Sequence, residues 1–184
     1  MLPVPELNDA IHARRGFNVI ATANNRDKGV NDLSSALKRR FNVVVLPLPD
    51  SLAEETGIVV KRVNEIGTGL SLPPIEPADK EIARVVMLFR ELRNGQTENG
   101  KQKLKVPSGS LSTAEAISVG IGAWAEAGHF GNGAMDANSV AAQIVGAVVK
   151  DPVQDRIVLQ EYLESVVRER SGWRDLYDAV REVL

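Results

Sequence analysis

Several residue types that support disulfide, thiol or metal chemistry are missing or scarce in this chain. The 184 residues include no cysteine and only two histidines, His12 and His129. Disulfides and thiol catalysis are therefore excluded, and no residue spacing predicts a metal site. No apolar run approaches the roughly 20 residues that a membrane-spanning helix needs, and the first residues do not resemble a signal peptide. We expect a soluble, cytoplasmic protein without a membrane partner.

The chain also lacks an excess of either charge. It carries 22 basic and 24 acidic residues, mixed along its length, so no electrostatic footprint for nucleic acid is present. A glycine-rich phosphate-binding loop of the form Gly-x4-Gly-Lys-[Ser/Thr] is absent, as is an apolar strand that ends in Asp-Glu. The motifs that usually hold nucleotide phosphates and Mg²⁺ are therefore missing, and we identify no cofactor-binding residue.

What the chain does contain is a hydrophobic fraction of 43%, which is ample for a buried core. Near the beginning, 17–23 and 42–48 are short, β-branched apolar runs, which are typical of parallel strands covered on both faces. A short helix, 33–37, is predicted between them. Two strands do not make a stable parallel sheet, so we expect partner strands from another polypeptide or from residues absent here.

After Pro49 the pattern changes to helices, and no convincing strand is predicted. Capping-box patterns start at Ser51 and Ser112, while Asp136 and Asp151 are further helix-start signals. The predicted fold is mostly helical: an α/β remnant with two parallel-type strands over residues 1–49, followed by an all-α domain over residues 50–184.

Three polar residues stand out in the first part. Asn24 follows the first apolar run, where strand ends of open α/β sheets present ligand-binding groups, although asparagine also favours turns. Arg39 and Arg40 follow the predicted helix, where cations interact favourably with the helix dipole. Guanidinium groups also bind phosphate oxygens through a charged fork. The residue types alone leave both interpretations open.

The ensemble resembles the sensor 1 and arginine-finger segment of AAA+ ATPases, most closely the MoxR-like group. The resemblance rests on an apolar strand ending Thr22-Ala-Asn24, a glycine-containing turn, Leu33-x-x-Ala-Leu-x-x-Arg40-Phe and a second apolar strand. It implies that Asn24 orients the attacking water. It also implies that Arg40, with Arg39 as a second candidate, projects toward the nucleotide of a neighbouring subunit.

The helical part is similar to the lid that follows the α/β core in MoxR-like proteins. There the family commonly carries a sensor 2 arginine near the start of a lid helix. This chain has Ser112-Thr-Ala-Glu115 at the matching helix start, without an arginine. We interpret Ser112 and Glu115 as a reciprocal helix cap, so the sensor 2 role does not carry over.

The resemblance implies an ATP- and Mg²⁺-dependent protein whose subunits form rings, usually hexamers, and which remodels or activates partner proteins. Proteins with a von Willebrand factor A domain are among the implied partners. Because the phosphate-binding motifs are missing, we expect this chain alone to be inactive as an ATPase, and we interpret it as the C-terminal part of such an enzyme. Two alternatives remain: a non-hydrolysing module that docks on a P-loop partner, and a helical binding domain unrelated to nucleotides.

Overall fold

The computed structural model describes residues 2–4, 9–22 and 34–184. They belong to two compact units, Met1–Val43 and Val44–Leu184. In the first unit, strand β1 (Leu2–Val4) pairs antiparallel with strand β2 (Asp9–Ile11), so that Pro3 lies opposite Ala10. The short helix predicted before the two arginines is present as α1 (Ser35–Lys38).

The two predicted parallel strands are not formed by the described residues. Residues 17–22 and 42–48 have no regular secondary structure, and Ala23 lies outside the described part of the chain. Apart from the half-buried Leu48, their apolar side chains face solvent: Ile20 is 93% exposed and Leu46 is 85% exposed. The predicted strands are not seen in this structure, because an extended segment becomes a strand only when a neighbour satisfies its backbone hydrogen bonds.

The second unit is helical, as expected. Its helices are α2 (Leu52–Gly69), α3 (Asp79–Asn94), α4 (Thr113–His129), α5 (Ala137–Val148), α6 (Gln154–Tyr162) and α7 (Arg174–Val183). A π-helical segment, Leu163–Val167, continues α6 directly. Helix α2 packs against α3 and α4, and α5 packs against α4 and α7. In the described residues after Val44, the β contact consists of a single antiparallel bridge between Gln96 and Lys103.

Local capping chemistry sets several helix ends in this unit. Ser51 caps α2 by accepting a hydrogen bond from the Glu54 amide, and Asp136 caps α5 in a capping box with Ser139. Helix α3 ends at Gly95, whose φ of 65° is the left-handed conformation that terminates many helices. These ends follow from short sequence patterns because each cap contacts only its own helix.

The hydrophobic core of the described residues lies in the second unit. Apolar stripes of α2, α3, α4 and α5 meet the π-helical segment and α7 there. The largest fully buried side chains include Phe89, Leu92, Ile144, Tyr162 and Tyr177. Trp173, which precedes α7, and Tyr177 of α7 are both buried.

Candidate functional site

The two arginines predicted as candidate catalytic residues lie directly after α1. Arg39 and Arg40 form the turn that follows Lys38, and both are exposed. Neither guanidinium forms an ion pair with another residue that the structure describes. Asn24, the third predicted residue, lies outside the described residues. The two guanidinium groups are therefore adjacent in sequence and accessible to solvent, so that a second molecule can contact them.

A buried carboxylate stands where α2, α3 and α4 meet. Glu55, in the first turn of α2, is fully buried. Arg93 approaches it at 2.8 Å, Arg90 at 3.0 Å, and the Thr113 hydroxyl donates to it at 2.8 Å. Burial alone would raise the pKa of Glu55, but hydrogen bonds from Arg93, Thr113 and Arg90 lower its pKa below the usual value. Glu55 is therefore an anion balanced by two guanidinium groups.

Arg90 also binds the segment that leads into the helical unit. Its Nη1 donates to the Pro49 carbonyl at 3.1 Å, and its Nη2 donates to the Asp50 carbonyl at 3.4 Å. On the other side, its Nε donates to Glu98 at 3.4 Å. Burial would lower the pKa of Arg90, but Glu55 and Glu98 outweigh it and raise the pKa. We call Arg90 and the carbonyls of Pro49 and Asp50 the linker clamp.

The start of α4 has the predicted reciprocal cap. The Ser112 amide donates to Glu115 at 2.7 Å, and the Ser112 hydroxyl accepts from the Glu115 amide at 3.3 Å. The capping interpretation is therefore confirmed. An arginine does approach this helix start from α3, because Arg93 donates to the Leu111 carbonyl at 2.9 Å. That guanidinium is also bound to Glu55, and only 9% of its side chain is exposed.

A second buried carboxylate, Glu91 on α3, joins the 96–103 loop to the C-terminal helices. It accepts from the Tyr162 hydroxyl at 2.6 Å, from Arg170 at 2.7 Å and from the Glu98 amide at 2.9 Å. Burial and the neighbouring Glu91 raise the pKa of Tyr162 well above its usual value. Because these groups are buried and already paired, they stabilise the fold rather than offer a reactive site.

An open groove of about 630 Å³ lies between the 102–105 loop and α6 with its π-helical continuation. Lys105 and Glu161 form an ion pair of 2.6 Å across it. Within the described ranges, no cluster of His, Asp or Glu has the arrangement of a metal site. The helices described for this chain are each too short or too polar to cross a membrane.

The described residues thus place two exposed arginines on the first unit. The second unit is helical, and the linker clamp holds its segment before α2. Comparison with known proteins gives the class for both parts of the chain: AAA+ ATPases. A family model for the AAA domain (dynein-related subfamily) matches residues 2–41. A model described as YehL-like AAA+ ATPase C-terminal domain matches residues 54–184, which is most of the chain. The chain belongs to this YehL-like family.

A curated relative agrees with this assignment. The uncharacterized protein YehL of Escherichia coli (strain K12) is 36% identical over 182 residues, which cover 95% of this chain and 49% of YehL. The chain therefore spans about half the length of the curated relative it matches. No solved structure matches the chain significantly.

The Glu55 junction is the feature that sequence reasoning missed. Its members lie far apart in sequence, at positions 55, 90, 93 and 113, and each looks like an ordinary polar residue of a helix surface. One signal was available in the sequence. Phe89 and Leu92 belong to the buried stripe of α3, and Arg90 lies between them, near the apolar face of the helix. A charge there requires a buried partner, but the sequence does not say which carboxylate supplies it.

Proposed function

We propose that this chain is the C-terminal part of a MoxR-like AAA+ ATPase subunit that couples ATP hydrolysis to remodelling or activation of partner proteins. The observation that carries the proposal is the pair Arg39 and Arg40, exposed after α1 and without an ion-pair partner among the described residues. The AAA domain match over residues 2–41 includes this pair, and the family match over residues 54–184 supports the assignment of the remainder as the lid.

In this proposal Arg40 reaches the nucleotide of a neighbouring subunit, with Arg39 as the second candidate. A guanidinium there neutralises charge that develops on the transferred phosphoryl group, an effect worth roughly 10³ to 10⁵ in rate in GTPases. Asn24 orients the attacking water. ATP and Mg²⁺, which supply the phosphoryl group and screen its charge, would be held by residues that this chain lacks, so the chain alone is expected to be inactive.

Residues 1–49 are assigned to the α/β core and residues 50–184 to the lid. In the complete subunit, we propose that 17–23 and 42–48 pair with core strands supplied by preceding residues. The exposed apolar side chains of Ile20, Val44 and Leu46 support this, because a parallel sheet covered by helices would bury them. Subunits would form a homo-oligomeric ring, a hexamer by resemblance, with a von Willebrand factor A domain protein as a candidate partner.

The finger assignment is tested by changing Arg40 in the full-length protein. Arg40→Ala is expected to lower the steady-state ATP turnover number by at least about 10³-fold, because the charge on the phosphoryl group loses its neutralising partner. Arg39→Ala is expected to have a smaller effect. Arg15→Ala is the matched control, since Arg15 is exposed in the same unit and carries no proposed role.

A mixing experiment tests whether Arg40 acts between subunits. Arg40→Ala subunits retain their own phosphate-binding loop, whereas subunits with that loop disabled retain Arg40. Mixed rings are expected to recover part of the ATP turnover that each variant lacks alone. Full turnover in Arg40→Ala rings would overturn the finger assignment, and no recovery on mixing would overturn the action in trans.

A further inference from the structure

The two residues that precede the cap of α2 have all of their backbone polar groups bound. Arg90 donates to the carbonyls of Pro49 and Asp50, and the Asp50 amide donates to Glu54 at 3.0 Å. Pro49 has no amide hydrogen. Residues 42–48, immediately before, have no regular secondary structure, and Val44 and Leu46 are largely exposed. The chain therefore changes at Pro49 from a solvent-exposed segment to one fixed on the helical unit.

Arg90 can hold this segment because it is itself held in place. It lies near the C-terminal end of α3, and its side chain is 9% exposed. Its guanidinium forms an ion pair with Glu55 at 3.0 Å. A guanidinium presents several N–H donors in one rigid plane, so it can bind a carboxylate and two carbonyls together. A lysine ammonium retains the charge but not this planar fork.

We infer that Arg90 is a positioning residue that makes Pro49 and Asp50 part of the rigid lid. It thereby places the pivot between the lid and the arginine-bearing segment before Pro49, within residues 42–48. Pro49 extends the rigid part toward Leu48, because it fixes its own φ and restricts the residue before it. This inference rests on the proposed function, since the pivot matters only if lid movement and ATP turnover are coupled.

The test uses Arg90→Lys with Arg93→Lys as its matched control. Both arginines lie on α3, both bind Glu55, and both have side chains that are 9% exposed. Only Arg90 binds the linker carbonyls, whereas Arg93 binds the Leu111 carbonyl. Each variant keeps a positive charge beside Glu55, and Thr113 continues to donate to that carboxylate, so both are expected to fold.

The first measurement is ¹⁵N relaxation on the 184-residue chain, followed at the Asp50 amide. We expect an order parameter near 0.85, typical of rigid backbone, in the unaltered chain and in Arg93→Lys. In Arg90→Lys it is expected to fall below about 0.6. A rigid Asp50 amide in Arg90→Lys would overturn the clamp, and so would equal loss of order in both variants. This measurement does not depend on ATP hydrolysis.

The second measurement is ATP turnover by the full-length ring. Arg90→Lys is expected to lower kcat about tenfold, which corresponds to losing a hydrogen bond to a charged group, while KM for ATP changes little. Arg93→Lys is expected to keep kcat. Unchanged kcat in Arg90→Lys would overturn the coupling. Absence of ATP turnover in the unaltered protein would overturn the proposed function itself, while the relaxation result would still decide the clamp.

Discussion

At the scale of single residues, two glycines permit the close approach of helices around α2. A Cβ atom on Gly67 of α2 would lie 2.4 Å from the Trp124 ring of α4, and one on Gly120 would lie 2.6 Å from Val63. The Trp124 ring has little room to move, because its Nε1 donates to the Pro73 carbonyl at 2.7 Å. Glycine is therefore required at position 67 for packing rather than for an unusual backbone conformation.

This packing predicts opposite effects for two glycine-to-alanine changes in α2. Alanine favours helix by about 1 kcal/mol over glycine, so Gly57→Ala, with no atom within 4 Å of its Cβ, is expected to stabilise by up to that amount. Gly67→Ala is expected to lower the free energy of unfolding by about 1–3 kcal/mol, the usual cost of overpacking. Urea unfolding at equilibrium measures both. Equal stabilisation by the two changes would contradict the Gly67–Trp124 contact.

At the scale of elements, Asp155 in the first turn of α6 joins three backbone segments. It accepts from the Ser108 amide at 2.6 Å, the Asp151 amide at 2.7 Å and the Lys150 amide at 2.9 Å. Burial would raise the pKa of Asp155, but these backbone hydrogen bonds outweigh it and lower the pKa below its usual value. The carboxylate therefore connects the 108 loop and the α5–α6 turn to the start of α6.

Asp155 predicts a pH dependence of stability. Because its pKa is lowered in the folded state, its contribution is present above the unfolded pKa of about 3.9 and is lost as pH falls through the folded pKa. Asp155→Asn is expected to cost about 2 kcal/mol of unfolding free energy at pH 7 and less below about pH 4. Urea unfolding at several pH values measures this difference.

Asp178→Asn is the control for that series. Asp178 forms an exposed pair with Arg174 at 3.0 Å, and such pairs contribute less than about 1 kcal/mol. We expect little change in stability at any pH for this variant. An Asp155→Asn cost that stays the same from pH 7 to pH 3 would contradict the role of the ionised carboxylate.

The π-helical segment after α6 is a second feature at this scale. The Arg168 amide donates to the Leu163 carbonyl, five residues earlier, instead of four. At the start of the segment, the Tyr162 hydroxyl donates to Glu91 at 2.6 Å and Glu164 accepts from the Tyr177 hydroxyl at 2.7 Å. The wider π-helical turn therefore coincides with side-chain hydrogen bonds that connect this part of the chain to α3 and α7.

At the scale of the whole molecule, the buried core and the exposed apolar segments of the described residues come from different parts of the chain. The buried core is drawn from residues 59–180, with partly buried neighbours from Leu52 to Leu184. By contrast, Phe17, Ile20 and Leu46 are exposed. Exposed apolar groups of this kind mark surfaces that bind another protein segment, which agrees with the proposed pairing to core strands.

This division predicts that residues 49–184 fold without the preceding segment. Removing residues 1–48 is expected to change the thermal midpoint by less than about 2 °C, because the core residues are all retained. Binding of the dye ANS, which reports exposed hydrophobic surface, is expected to fall. A midpoint lower by more than about 5 °C would show that the first unit contributes to the core, and unchanged dye binding would contradict the exposure of the apolar segments.

The sequence was most informative where the interactions are local. Ser51, Ser112 and Asp136 predicted helix starts that the structure confirms, because each cap binds an amide two or three residues away. The end of α3 is also local, because Gly95 takes the left-handed conformation there. Helix α3 begins at Asp79, after Ala78, which makes no side-chain cap. A start without a cap is set by packing as much as by local chemistry.

Strands and buried charges could not be predicted in the same way. The apolar runs 17–23 and 42–48 have β-forming composition, but a strand also needs a paired neighbour, and the described residues provide none for 17–22 and 42–48. Arg39 and Arg40 were singled out because a family motif places them together in sequence. Glu55, Arg90 and Arg93 were missed because only the packing of α2 against α3 brings them together.

The sequence by itself thus determined the helical character of residues 50–184, the capped helix starts and the family resemblance, since these depend on residues within a few positions of each other. Only the tertiary structure decided which charges are buried together and where the linker becomes rigid. Among the described residues, it also showed that 17–22 and 42–48 have no strand partner. These properties depend on contacts between distant segments, and such contacts form only when burial offsets the cost of ordering the chain.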